Sequence, residues 1–79
     1  MVEAYILITA AIGKVKEVAR KLKELDNIKS VRVVTGPYDI IVLAEAKDLT
    51  TLTNTVVEDI HRISGVVDTN TAIVVETGY

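Results

Sequence analysis

Residues 35–39 read Thr-Gly-Pro-Tyr-Asp, and this short stretch gathers groups that could hold a small charged ligand. Asp39, at the mouth of an apolar run (Ile40, Ile41, Val42), can accept a charge-assisted hydrogen bond from an ammonium group. Gly36 can take a positive φ at little cost and lets a ligand approach the backbone closely. Exposed N–H groups of such a turn can hold a carboxylate. Pro37 stiffens the turn and removes one N–H, and Tyr38 can wall off a site or pack across a subunit boundary. The same residues also make an ordinary hairpin in which Asp39 bonds local backbone. Residue chemistry alone leaves both readings open.

Other reactive constellations are thin. The sole histidine, His61, falls between Ile60 and Arg62, off the apolar stripe of its helix, and is expected to face solvent. Ser64 lies three residues on, poor geometry for a nucleophilic pair. No glycine-rich phosphate loop is present. The chain contains no cysteine, which excludes a disulfide and a Cys-based metal site. No catalytic residue, metal or cofactor is expected. A net charge of −2 argues against a protein held to nucleic acid by phosphate contacts. Lys14, Lys16, Arg20, Lys21 and Lys23 do cluster, but Glu17 and Glu24 sit at i,i+4 spacing from Lys21 and Arg20 respectively. The sequence therefore reads as a solvated helix face laced with ion pairs. No run reaches the roughly 18 apolar residues of a membrane span, and no signal peptide opens the chain. A soluble cytoplasmic protein is expected.

The elements that must position the turn are plain. Residues 2–9 form an apolar β-rich run. From Lys14 the period changes, and Val15, Val18, Ala19, Leu22 and Leu25 make one face of a helix, which Asp26-Asn27 should end with Asn27 as a left-handed cap. Residues 28–35 and 39–46 are strands, with Val31 and Val33 on one face. Asp48 or Thr50 caps a second helix whose apolar stripe is Leu49, Leu52, Val56, Val57, Ile60 and Ile63, despite the poor helix propensity of its threonines. Ser64-Gly65 closes it, and residues 66–76 are the last strand. The order is βαββαβ, the α+β, ferredoxin-like plan of one four-stranded antiparallel sheet with two helices on one face.

That plan raises a second question. With helices on one face only, the strands should alternate apolar and polar. Yet Tyr5 and Leu7 oppose Ala4, Ile6 and Ile8, and Ile41 and Leu43 oppose Ile40, Val42 and Ala44. In the last strand Ala72 and Val74 oppose Ile73 and Val75. At 79 residues with 49% hydrophobic content, one domain of this size struggles to offset chain entropy alone. The economical solution is a second copy packed face to face in a two-fold dimer, with Tyr5 in the interface. Tyr79, the last residue, is expected to be mobile.

Three segments carry a resemblance to a known family: AYILI (4–8), NIKSVRVVTGPYDIIVLAEAKDLTTL (27–52) and HRISGVVDTNTAIVVE (61–76). With a T-G-x-x-D hairpin at Thr35-Gly36 and Asp39, preceded by Val31 or Val33, and a G-V-x-x-T-x-T approach at Gly65-Val66, Thr69 and Thr71, the chain resembles the effector-binding (RAM) domain of the Lrp/AsnC, or feast/famine, transcriptional regulators. The resemblance covers nearly the whole chain, 1–79, as one domain. It implies an amino-acid effector bound between dimers near the hairpin, a homodimer and a higher ring such as an octamer. Its candidate ligand-binding residues are Gly36, Tyr38, Asp39, Thr69 and Thr71. Full-length family members carry an N-terminal helix-turn-helix domain for which this sequence has no counterpart. It therefore reads as a stand-alone sensing domain that binds no DNA itself and modulates full-length relatives by mixed assembly. Two other readings stand beside it: a small enzyme of the dimeric α+β barrel type, and a purely structural oligomerisation domain.

Overall fold

The computed structural model describes residues 1–75. Strand β1 (Val2–Ala10) leads into α1 (Val15–Leu22), then β2 (Ile28–Val33) and β3 (Ile40–Ala46). A helical stretch follows in three pieces: α2 (Leu49–Thr51), a π-helical turn (Leu52–Val56) and α3 (Val57–His61). Strand β4 (Val66–Ile73) completes the sheet. The strands lie in the order β2-β3-β1-β4, all neighbours antiparallel. This is the expected ferredoxin-like arrangement, with the two central strands β1 and β3 buried deepest.

Alternation along β1 and β3 sets the layers. Ala4, Ile6 and Ile8 pair with Ala44, Val42 and Ile40 and lose all exposure beneath the helices. Val18 and Leu22 of α1, with Leu52, Val56 and Ile60 from the second helical stretch, close the core from above. Fully burying each such side chain stabilises by roughly 1.5–3 kcal/mol. On the opposite face, Tyr5 pairs with Leu43 and Leu7 with Ile41. Tyr5 remains 48% exposed and the other three are half-buried. The outer strands carry polar residues on this side: Ser30 and Arg32 of β2, Asp68 and Asn70 of β4. The outer face is thus apolar at Tyr5, Leu7, Ile41 and Leu43 of the central strands and continues onto Ala72 of β4 beside Tyr5, while Ser30, Arg32, Asp68 and Asn70 are polar and the central pair Glu3 and Glu45 closes one end. Near one end, Lys29 reaches both Glu3 (3.6 Å) and Glu45 (3.7 Å).

Several local readings change. Helix α1 ends at Leu22, with Lys23 still in the right-handed region. The chain then tightens through short-range bonds from Glu24 N–H to Lys21 O and Leu25 N–H to Leu22 O. Asn27 is not a left-handed cap: among the described residues only glycines have positive φ. Its side chain instead donates to Glu45 O, and its own carbonyl accepts from Glu45 N–H, so it fastens the entry of β2 to β3. Glu17 pairs with Lys14 at 3.6 Å, the i,i+3 alternative to the expected i,i+4 partner. Strand β4 runs to Ile73, with Val74 N–H still donating to Glu3 O at 2.9 Å; the expected end at residue 76 and Tyr79 lie outside the described residues.

The second helical stretch shows why its stripe is unusual. Leu52, Val56 and Ile60 are the residues it buries completely or nearly so, and they recur every four positions. In an α-helix every fourth residue drifts by about 40°, so three such residues would fan out. The wider i→i+5 turn unwinds the helix and keeps them in line over the sheet. Thr53 Oγ1 donates to Leu49 O (3.1 Å) and Thr50 O (3.3 Å) beside this turn, the kind of side-chain back-bonding that bends helices. Asp48 caps the stretch as expected, its carboxylate accepting from Thr51 N–H at 2.7 Å. That bond holds the Asp48 carboxyl below the ordinary aspartate range.

Two outcomes follow from these contacts. A group whose folded pKa is depressed stabilises above its unfolded pKa and loses that contribution as pH falls. Asp48→Ala should therefore lower the Tm at pH 7, and the gap to wild type should close as pH drops below about 4; thermal melts across pH check this. Gly65 has φ +103°, and a Cβ there would meet Val18 Cγ2 at 2.9 Å and Lys14 Cβ at 3.1 Å. Gly36 has φ +117° with open space around it. Gly36→Ala should cost about 1–3 kcal/mol from the backbone alone. Gly65→Ala should cost distinctly more in the same denaturation experiment, because it also pushes α1 off the β4 turn.

Candidate functional site

The hairpin residues meet at one end of the sheet. Asp39 is half-buried and makes three bonds there. Its carbonyl accepts from Val34 N–H (2.9 Å), its N–H donates to Ile8 O (3.0 Å), and its Oδ2 accepts from Ala10 N–H (2.9 Å). The carboxylate therefore reaches a strand 29 positions away in sequence, where the hairpin reading has it bonding local backbone. The register of β1 against β4 shifts between Thr9 and Ala10, and the next amide, Ala11 N–H, donates to Gly65 O at 2.7 Å. Two consecutive amides at the end of β1 thus bind the two motifs: T-G-x-x-D through Asp39 and G-V-x-x-T-x-T through Gly65.

An ionised carboxylate has about four acceptor sites, and Ala10 N–H occupies one. Gly36 and Pro37 are exposed and Tyr38 is half-buried. The turn therefore offers accessible backbone next to an anionic group already fixed in direction, suited to a small molecule that carries both signs of charge. Among the described residues no cluster of His, Asp or Glu has the spacing to hold a metal ion, and no polar or charged residue is buried in the core.

Thr69 and Thr71 stand elsewhere. Thr69 pairs with Ile8 and Thr71 with Ile6, so both project to the helix-bearing side of edge strand β4. Asp39 leads into β3, on the far side of β1. Two inter-strand steps separate them, about 10 Å. One chain brings Gly36, Tyr38 and Asp39 together and the two threonines together, but does not join the groups.

One polar partner escaped the sequence reading. His61 is exposed as expected, yet its Nε2 lies 2.7 Å from Thr69 Oγ1. The spacing of eight residues across a helix end and a turn leaves no periodic signal. Only Gly65, which folds β4 back under α3, hints that the two could meet.

A family model described as the Lrp/AsnC ligand binding domain matches residues 3–78. The HTH-type transcriptional regulator FL11 of Pyrococcus abyssi is 39% identical over 74 residues, 94% of this chain and 48% of the regulator. A homocitrate synthase of Sulfurisphaera tokodaii is 39% identical over 59 residues, 75% of this chain but 13% of that enzyme. The chain spans about half the length of the regulators it matches. Among solved structures, FFRP-DM1 superposes with a TM-score of 0.89 at 37% identity, covering 95% of this chain and 100% of that one. A feast or famine regulatory protein from M. tuberculosis, complexed with L-methionine, gives a TM-score of 0.83 at 18% identity over 100% of this chain and 53% of that one; at that identity the likeness is one of fold.

The Asp39 contacts predict a split between two substitutions. Asp39→Ala leaves the Ala10 N–H without its acceptor and should cost about 1–3 kcal/mol. Asp39→Asn keeps an oxygen for that N–H and should unfold close to wild type. Urea denaturation of the three proteins side by side measures both.

Proposed function

The chain belongs to the Lrp/AsnC ligand-binding domain family, and on that premise we propose that it is a regulatory domain that binds a free amino acid at the Gly36–Asp39 hairpin. The observation that carries this reading is the hairpin itself: open backbone at Gly36 beside a half-buried carboxylate that spends one oxygen on Ala10. Backbone N–H groups around Gly36 receive the effector carboxylate, Asp39 receives its ammonium, and Tyr38 walls the site. The helix-facing positions of the central strands β1 and β3 are aliphatic, which supports a binding module rather than an enzyme.

Assembly completes the site. The outer-face stripe of Tyr5, Leu7, Ile41 and Leu43 packs against its counterpart in a second copy, giving a homodimer. Dimers join in a ring such as an octamer, so that Thr69 and Thr71 of one subunit line the site opened by the hairpin of another. The elements of the described residues are those of the ligand-binding domain, and this domain acts on transcription by changing the assembly of the subunits it joins. The homocitrate synthase match favours a second reading, in which such a domain regulates an enzyme. It occupies too small a part of that protein to carry its activity across.

Thermal melts with each of the twenty amino acids test the proposal. An effector at a hundredfold excess over Kd should stabilise by about 2.7 kcal/mol, a plainly visible Tm rise. Asp39→Asn should weaken its binding roughly 10- to 150-fold, the equivalent of a lost hydrogen bond to a charged group, with the unbound melt unchanged. Light scattering should show a dimer or larger. A chain that ignores all twenty is a structural oligomerisation domain, and a well-folded 8.6 kDa monomer would refute the packed outer face.

A further inference from the structure

We propose that His61 is a positioning residue of the effector site, holding the Thr69 hydroxyl so that its single proton faces the bound amino acid. The inference rests on the reading of Thr69 as an effector contact, and deepens it.

A threonine hydroxyl has one proton to give and two lone pairs to accept with. His61 Nε2 sits 2.7 Å from Thr69 Oγ1, close enough that each constrains the other. When Nε2 carries no proton, the hydroxyl spends its only proton on the ring and turns lone pairs outward. When Nε2 carries the proton, the ring donates and the hydroxyl proton is left to point elsewhere. The first state suits a ligand donor; the second suits a ligand acceptor. With Asp39 receiving the ammonium, the group that remains for Thr69 is the effector carboxylate, whose second oxygen can accept from the hydroxyl. Binding therefore selects the Nε2–H form of His61. The backbones of both residues are placed by the fold: His61 follows Ile60, which is fully buried, in the last turn of α3, and Thr69 is paired with Ile8. Neither group needs to move for the imidazole to set the sense of the hydroxyl.

The chain contains a single histidine, so every imidazole signal belongs to His61. The experiment follows its ring 15N resonances by NMR while each of the twenty amino acids, L-methionine first, is added to the intact protein. Expected is a shift toward the Nε2–H pattern on saturation with whichever amino acid raises the Tm, and no such shift in Thr69→Val. Affinity should fall roughly two- to tenfold in His61→Ala, fall equally in Thr69→Val, and fall no further in the double variant. His61→Gln, whose amide can also donate, should recover part of the loss. If His61→Ala fails to fold, the wild-type ring shift and His61→Gln decide the matter. An amino acid that binds while the ring signals stay put, or additive losses in the double variant, overturns the role of His61 and leaves the effector reading standing. A wild type that binds none of the twenty overturns both.

Discussion

Two adjacent backbone amides at the end of β1 tie both the hairpin and the turn before β4 to one strand. Ala10 N–H is taken by Asp39 Oδ2 and Ala11 N–H by Gly65 O. A strand that leaves its sheet must hand its last donors to something, since an unpaired buried N–H costs about as much as a lost hydrogen bond. Here the hairpin takes one and the turn before β4 takes the other. Consecutive amides of a central strand point to opposite neighbours, Ala10 toward β3 and Ala11 toward β4; the register shift at Thr9/Ala10 leaves one extra residue, Val67, in β4 and so brings Gly65 opposite Ala11. The two segments that carry the family motifs are therefore both bonded to the end of a third, and the geometry of the hairpin is not independent of the geometry of β4.

The sheet around this joint faces two environments. Its helix side is closed by side chains that leave no exposure at Ile6, Ile8, Ile40 or Val42. Its outer side keeps Tyr5 48% exposed in the middle of an apolar stripe flanked by Ser30, Arg32, Asp68 and Asn70. Apolar centre and polar rim is how interfaces are generally organised. The apolar residues concentrate the gain from burial in the middle of the face, and the Glu3–Lys29–Glu45 group sits at one end of the central strands, where water can still reach it.

The architecture was legible because period and punctuation agree. Apolar residues alternate in β1 and β3, spacings of three and four mark the helices, and Asp48 and Gly65 stand where a cap and a left-handed turn are needed. What escaped reading depends on contacts distant in sequence. Asn27 has the chemistry of a helix cap, but Glu45 offers it two bonds, and the helix ends earlier. The four-residue spacing of Leu52, Val56 and Ile60 is visible in the sequence, yet its consequence, a π turn, depends on all three being buried in the same core. In β4 the opposed faces of Ala72 and Ile73 are as the alternation predicts, while the earlier outward positions Asp68 and Asn70 are polar. At the candidate site, the hairpin residues could be named from chemistry and family resemblance. The bond from Asp39 to Ala10 and that from His61 to Thr69 needed the fold.

These last two bonds bear on how a sensing site can be built from so small a chain. Both candidate half-sites contain a side chain whose hydrogen-bonding capacity is partly committed inside the chain: Asp39 to Ala10, Thr69 to His61. Commitment fixes direction, and a group already ordered loses less entropy when a ligand arrives. Within one chain the two groups stand two inter-strand steps apart, about 10 Å. Under the proposed effector reading, a second copy would supply the complementary group. A ligand that bridged the two would add its contacts only to the assembled state and would shift the assembly equilibrium in proportion to that difference in affinity, so that sensing and oligomerisation would be one equilibrium viewed from two sides.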